Sequence, residues 1–162
     1  MTQDRLWAPW RVGYITAKKK RKACIFCAGV RGGKGSHVIF KTKHSIAMLN
    51  IFPYNNGHLM VAPVRHVADL EQLKKTEVLD LFAAIVRAKK LLKKVLRPHG
   101  FNIGINGARC AGAGIVSHLH VHIVPRWDGD TNFMPALCAT KVISQSLEEL
   151  HAQLKNAESK KD

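Results

Sequence analysis

Histidine alternates with aliphatic residues in the segment Ser117, His118, Leu119, His120, Val121, His122, Ile123, Val124. A period of two belongs to an extended strand, whose successive side chains point to opposite faces. There His118, His120 and His122 share one face, while Leu119, Val121 and Ile123 share the other and enter the core. A helix would scatter the same rings over about 400° of arc. Three imidazoles on one surface admit two chemistries. A His-x-His pair can ligate a catalytic metal when another His or a carboxylate completes the set. Alternatively, one imidazole acts as a nucleophile while its neighbours set its tautomer. Upstream runs Asn106, Gly107, Ala108, Arg109, Cys110, Ala111, Gly112, Ala113, Gly114. Glycines let backbone amides approach an anion closely, so this loop in front of three imidazoles points to a held phosphate. Cys24 and Cys27 form a second constellation, spaced like a metal knuckle or a redox pair, although two buried thiols without a metal would read the same way.

Strands and helices must position these groups. Apolar runs at 37–40, 46–51 and 58–62 are broken by Lys41, Thr42, Lys43 and by Pro53, Tyr54, Asn55, Asn56, Gly57, the punctuation of strands joined by turns. Between Thr76 and Leu96, Val78, Leu81, Phe82, Ile85, Leu92 and Val95 fall at helical spacing, with Thr76 as the expected N-cap and Pro98 with Gly100 as the stop. Residues 101–105 and 116–124 read as two more strands, and 143–154 as a C-terminal helix. The expectation is one α+β domain over 1–162 with a mainly antiparallel sheet, a basic arm at 1–22 and a frayed tail at 155–162. With 162 residues, 46% of them hydrophobic, the chain can bury a core, which excludes a disordered polyelectrolyte. No apolar run approaches the roughly 20 residues of a membrane span, and no secretory h-region follows Met1, so a reducing cytoplasm is expected. Twenty-six Lys and Arg against 11 Asp and Glu give a net charge of +15, a surface that favours anions. The basic residues are not interleaved with aromatics, which argues against a nucleic-acid groove. Cys110 and Cys138 read as packing residues.

The pattern of His118 to Val124, together with Asn50, with Asn56, Gly57, His58 and with the 112–114 loop, resembles the histidine triad family of nucleotide hydrolases and transferases. Leu6 to Tyr14 and Pro125 to Pro135 are similar to its bacterial branch of diadenosine tetraphosphate phosphorylases. The resemblance implies a five-stranded sheet with one long helix and a C-terminal helix. It implies that His120 attacks an α-phosphorus, giving a nucleotidyl-histidine later resolved by water or phosphate, with His122 and His58 beside the phosphate. Asn50 would bind ribose hydroxyls, Ile51 would border the base, Asn106 would lie near the phosphate or the leaving group, and the amides of Gly112, Ala113 and Gly114 would hold the phosphate. Cys24 and Cys27 resemble the zinc knuckle of some members, where His66 and His118 match the remaining ligands. That implies structural zinc and no redox cofactor. Family members form twofold dimers or larger assemblies. The substrate class is a dinucleoside polyphosphate, with nucleoside phosphoramidates, adenylates or adenylated DNA as alternatives. One departure stands out: Gly114 and Ile115 occupy positions where many members carry Gln and then Ser or Thr.

Overall fold

The computed structural model describes residues 24–32, 36–130 and 143–160; the basic arm at 1–22, Cys138 and the last two residues lie outside these. Helix α1 (Ile25–Arg31) is followed by strands β1 (Val38–Lys41), β2 (Ser45–Leu49) and β3 (Leu59–Pro63). A 3₁₀ turn (Leu70–Gln72) leads to the long helix α2 (Lys75–Leu96), then β4 (Gly100–Gly104), β5 (Val121–Arg126) and helix α3 (Leu147–Ser159). The strands form one antiparallel sheet in the order β1-β2-β3-β5-β4, the α+β architecture expected.

One sheet face carries Ile39, Leu49, Leu59, Val61 and Ile123 against Leu81, Ile85 and Leu92 of α2 and Leu150 and Leu154 of α3. Full burial of such side chains is worth about 1.5–3 kcal/mol each, so this face carries most of the apolar stabilisation. On the opposite face, α1 lays Phe26 over Ile46, Met48, Met60 and Ala62. Gly29 permits that approach: a Cβ there would stand 3.0 Å from a Val38 methyl and 3.2 Å from one of Ile46. Alternation along β3 and β5 thus separates a helix-covered core from a face that carries polar side chains at its end.

Several boundaries differ from the sequence reading. The expected 116–124 strand becomes regular only at Val121. β4 ends at Gly104, opposite His122, so residues 118–120 have no neighbouring strand there, and the Leu119 amide donates instead to the Val67 carbonyl at 2.6 Å. Helix α1 was not expected; Gly32, at φ 80°, closes it in the left-handed conformation. Lys74 rather than Thr76 caps α2, because the Glu77 carboxylate turns back to accept the Lys74 amide at 2.8 Å. Helix α3 starts at Leu147, where the Ser146 hydroxyl accepts from the Glu149 amide, and runs to Ser159. Residues 155–159 of the tail expected to fray are therefore helical, with Lys155 Nζ donating to the Ile39 carbonyl at 3.0 Å. Cys110, expected to pack inside, is exposed on its loop.

Two clamps hold the chain around the polar end of the sheet. Arg65 gives Glu77 a two-pronged ion pair at 2.9 and 2.7 Å, tying the end of β3 to the start of α2. The Asp130 carboxylate accepts from Asn55 at 2.8 Å and from Arg126 at 2.7 and 2.9 Å, tying the β2–β3 turn to the end of β5. Gly57 in that turn has φ 76°, and a Cβ would come within 2.4 Å of a Leu96 methyl. The Arg65 guanidinium, followed by the Lys74 amide, holds the Glu77 carboxyl down from 4.5 to about 2. A depressed carboxylate stabilises the fold above its unfolded pKa and loses that contribution as pH falls through the folded one. Glu77→Gln is expected to lower the melting temperature by a few degrees at pH 7 and to flatten the loss of stability between pH 4.5 and about 2, measured by thermal unfolding across that range.

Candidate active site

Met60 lies directly opposite His122 in the β3–β5 pairing, and His58, two residues before Met60, shares its side of the sheet. The sheet register therefore brings His58 to His122: His58 Nε2 lies 2.9 Å from His122 Nδ1. His120 and His122 are adjacent, their ring centroids 4.8 Å apart, and both are buried. Leu119, Val121 and Ile123 point the other way and are buried, as the alternation requires.

The hydrogen bonds set the tautomer of each ring. The Tyr54 amide can only donate, and it lies 3.0 Å from His58 Nδ1, so that nitrogen accepts. Neutral His58 then carries its proton on Nε2 and donates to His122 Nδ1, which leaves His122 protonated on Nε2. His120 Nδ1 donates to the His118 carbonyl at 2.8 Å. Its Nε2 keeps a lone pair that no hydrogen-bonding group among the described residues claims. Burial, then the neighbouring His120, pushes His122 from 6.5 to about 4. Burial also lowers His118 and His120. The trio is neutral at pH 7, the state in which an imidazole is a nucleophile.

Asn50 Nδ2 lies 3.3 Å from His58 Nδ1, and its Oδ1 accepts from the Phe52 amide at 2.9 Å. Ile51 and Phe52 are exposed at the lip. Asn106 leaves β4 beside His122, with Nδ2 3.3 Å from His122 Nε2. A cleft of about 300 Å³ opens beside His120 and Asn106, walled by Leu70, Ile105, Ile115 and Val116. The glycine-rich loop supplies less than expected. The Gly112 amide is taken by the Arg109 carbonyl at 3.0 Å and the Ala113 amide by the Ala108 carbonyl at 3.2 Å, while Ala108 sits at φ 63°. Of the three expected phosphate donors there, only the Gly114 amide has no such bond described.

Cys24, Cys27, His66 and His118 also converge, with donor atoms all within 4.8 Å of one another. Cys24 Sγ lies 3.3 Å and Cys27 Sγ 3.7 Å from His118 Nδ1, Cys27 Sγ lies 3.2 Å from His66 Nδ1, and the two Nδ1 atoms are 3.1 Å apart. A tetrahedral ion with bonds of about 2.3 Å to sulfur and 2.0–2.1 Å to nitrogen requires donor separations of roughly 3.3–3.8 Å. The four separations just given fall close to that range, and the widest of the set, up to 4.8 Å, would have to close around a small divalent cation. His118 Nε2 donates to the Pro63 carbonyl at 2.8 Å, which leaves Nδ1 as the ligating nitrogen. Burial, then Cys24, pushes the Cys27 thiol up, an effect a bound cation would reverse. His118 thus faces the sulfurs, while His120 and His122 do not belong to that set.

The histidine pattern and this architecture are those of a known family. Residues 31–129 match the HIT domain, and the chain belongs to that histidine triad family. It is 40% identical over 155 residues to a protein of Mycobacterium tuberculosis called AP-4-A phosphorylase, covering 90% of this chain and 80% of that one. It is 40% identical over 96 residues to a Schizosaccharomyces pombe protein called bis(5'-nucleosyl)-tetraphosphatase [asymmetrical], covering 59% of this chain and 52% of that one. A Zn-bound histidine triad family protein of Mycobacterium smegmatis has the same fold, with TM-score 0.68 and 29% identity over 85% of this chain and 94% of that one.

Sequence reading missed Tyr54, taken as part of a turn, and the carbonyls of Pro63 and His118; an aromatic residue four positions before His58 was the available signal for the first. Because His122 is held neutral, the unfolded chain binds more protons between pH 6.5 and about 4, and stability falls with acidification over that window. Nitrogen-detected NMR of ¹⁵N-histidine-labelled protein is expected to show His122 protonated on Nε2 alone at pH 7 and titrating near 4; titration near 6.5 would contradict the buried relay.

Proposed function

We propose that the protein is a nucleotidyl hydrolase or phosphorylase acting on dinucleoside polyphosphates, with diadenosine tetraphosphate as its substrate. The observation that carries this is the pinned ring of His120: Nδ1–H is held by the His118 carbonyl, and among the described residues no group claims the lone pair of Nε2. Nε2 attacks the α-phosphorus, the bond to the leaving nucleotide's bridging oxygen breaks, and an adenylylated His120 forms. His122 Nε2–H, its other nitrogen held by His58, donates to the phosphate or the departing oxygen. Water then releases AMP, or inorganic phosphate releases ADP, and ATP is the other product. Transfer of this kind depends mainly on positioning and charge stabilisation, which these donors supply. Asn50 meets the ribose, Ile51 borders the base, and Asn106 with the 112–114 loop lies along the phosphates. The AP-4-A phosphorylase relative supports this substrate class. Phosphoramidates and adenylates would use the same residues.

Cys24, Cys27, His66 and His118 hold zinc in this reading. A four-ligand site of this type has no open position and serves the fold, and reduced thiols suit a cytoplasmic protein. Among the described residues no helix is long and apolar enough to cross a membrane. A homodimer or larger homo-oligomer is part of the proposal: β4 is an edge strand, and α2 exposes Leu79, Phe82 and Val86 along one stripe.

With diadenosine tetraphosphate, ADP plus ATP in the presence of phosphate is the expected outcome, AMP plus ATP signals hydrolysis, and no cleavage discards this substrate. His120→Asn should retain nucleotide binding and lose turnover by about 10⁴-fold or more, as removal of a covalent nucleophile does. Metal analysis should find one zinc per chain, and Cys27→Ser should lose it, with a fall of about 10 °C in melting temperature if the site contributes several kcal/mol.

A further inference from the structure

Tyr54 is the residue at this site that neither the family pattern nor the mechanism above uses. Its backbone amide starts the relay by donating to His58 Nδ1 at 3.0 Å. Its ring packs on both members of that relay, with centroids 4.5 Å from His58 and 5.4 Å from His122, the latter at an interplanar angle of 30°. Its hydroxyl comes out at the other end, 3.5 Å from Asn106 Nδ2, which in turn lies 3.3 Å from His122 Nε2. Tyr54 is 46% exposed.

His122 Nε2 carries a proton, so the Asn106 carboxamide, 3.3 Å away, accepts it through Oδ1 once the amide is turned. The Tyr54 hydroxyl, beside the same amide, both accepts and donates and can turn its proton outward to an oxygen rich in lone pairs, as a phosphate supplies. The loop that ought to provide phosphate donors is depleted. The Gly112 and Ala113 amides are consumed within the turn, Gly114 and Ile115 carry no hydroxyl or amide side chain, and Ser117 is the single hydroxyl between Ile105 and His118.

The geometry points to Tyr54 as a further substrate-binding and catalytic residue, whose hydroxyl donates to a nonbridging oxygen of the phosphate under attack and takes the place of the missing loop hydroxyl. This rests on the nucleotide reading above. The hydroxyl does not exchange a proton with substrate; its hydrogen bond strengthens as negative charge grows on that oxygen in the transition state, so its contribution falls on kcat rather than on KM.

The test compares wild type with Tyr54→Phe, which keeps the ring over His58 and His122 and removes the oxygen alone. With diadenosine tetraphosphate, kcat should fall by about 10- to 100-fold, the lower part of the range for one lost donor because Asn106 and His122 remain, while KM stays within about twofold. The melting temperature should not change. Sulfur in place of one nonbridging α-oxygen should slow wild type in one diastereomer and slow Tyr54→Phe much less in that same diastereomer. A wild-type kcat in Tyr54→Phe overturns the proposal, and so does a slow variant in which both enzymes respond equally to both diastereomers. Failure of the nucleotide reading itself is recognised separately: wild type would neither cleave the substrate nor bind AMP by calorimetry, and the assignment of Tyr54 would fall with it.

Discussion

Each imidazole in this site has one nitrogen already committed to the protein, and everything else depends on that. A neutral histidine offers one donor and one acceptor, and which is which is undefined until a neighbour fixes it. Here the Pro63 carbonyl takes His118 Nε2, the His118 carbonyl takes His120 Nδ1, and the Tyr54 amide addresses His58 Nδ1. These three are main-chain groups, whose positions are set by the sheet and its turns rather than by mobile side chains. The remaining nitrogens acquire distinct characters: a lone pair on His118 that faces Cys24, Cys27 and His66, a lone pair on His120, and a donor on His122. Burial reinforces the assignment by opposing protonation of all three rings.

His118 joins two parts of the molecule that could have been separate. Its ring faces Cys24, Cys27 and His66, and its carbonyl orients His120. The Leu119 amide on the Val67 carbonyl fixes the same short stretch from the His66 side. The cluster is therefore linked to the His120 ring through one peptide unit. The Arg65 to Glu77 clamp supports this from outside by anchoring the chain beside His66 to helix α2.

The alternation from His118 to Ile123 was legible because side-chain period needs no knowledge of neighbours, and the rings do share a face. The extent of regular strand was not, since it depends on a partner, and β4 stops opposite His122. Helix α1 escaped because seven residues hold too few turns to show a period, although Gly32 marked its end. The pairing of Cys24 and Cys27 with His66 and His118 came through resemblance, and the converged donor atoms agree with it. The loop before the triad reads as an anion cradle by composition, yet glycine permits an exposed amide without requiring one, and here two amides fold inward. Tyr54 was invisible for a related reason: its meaning comes from the β2–β3 turn being pinned by Asp130, 75 residues away from Asn55.

The long reach of the Cys27 to His118 contact also has a temporal side. These residues are separated by 91 positions. At a synthesis rate of about 5–20 residues per second, roughly 5–20 seconds pass between the emergence of the second thiol and that of its imidazole partner. Throughout that interval the nascent chain carries an incomplete dithiol. His120, two residues further on, emerges only after that interval, so the cysteine and histidine cluster and the ring beside it are completed together.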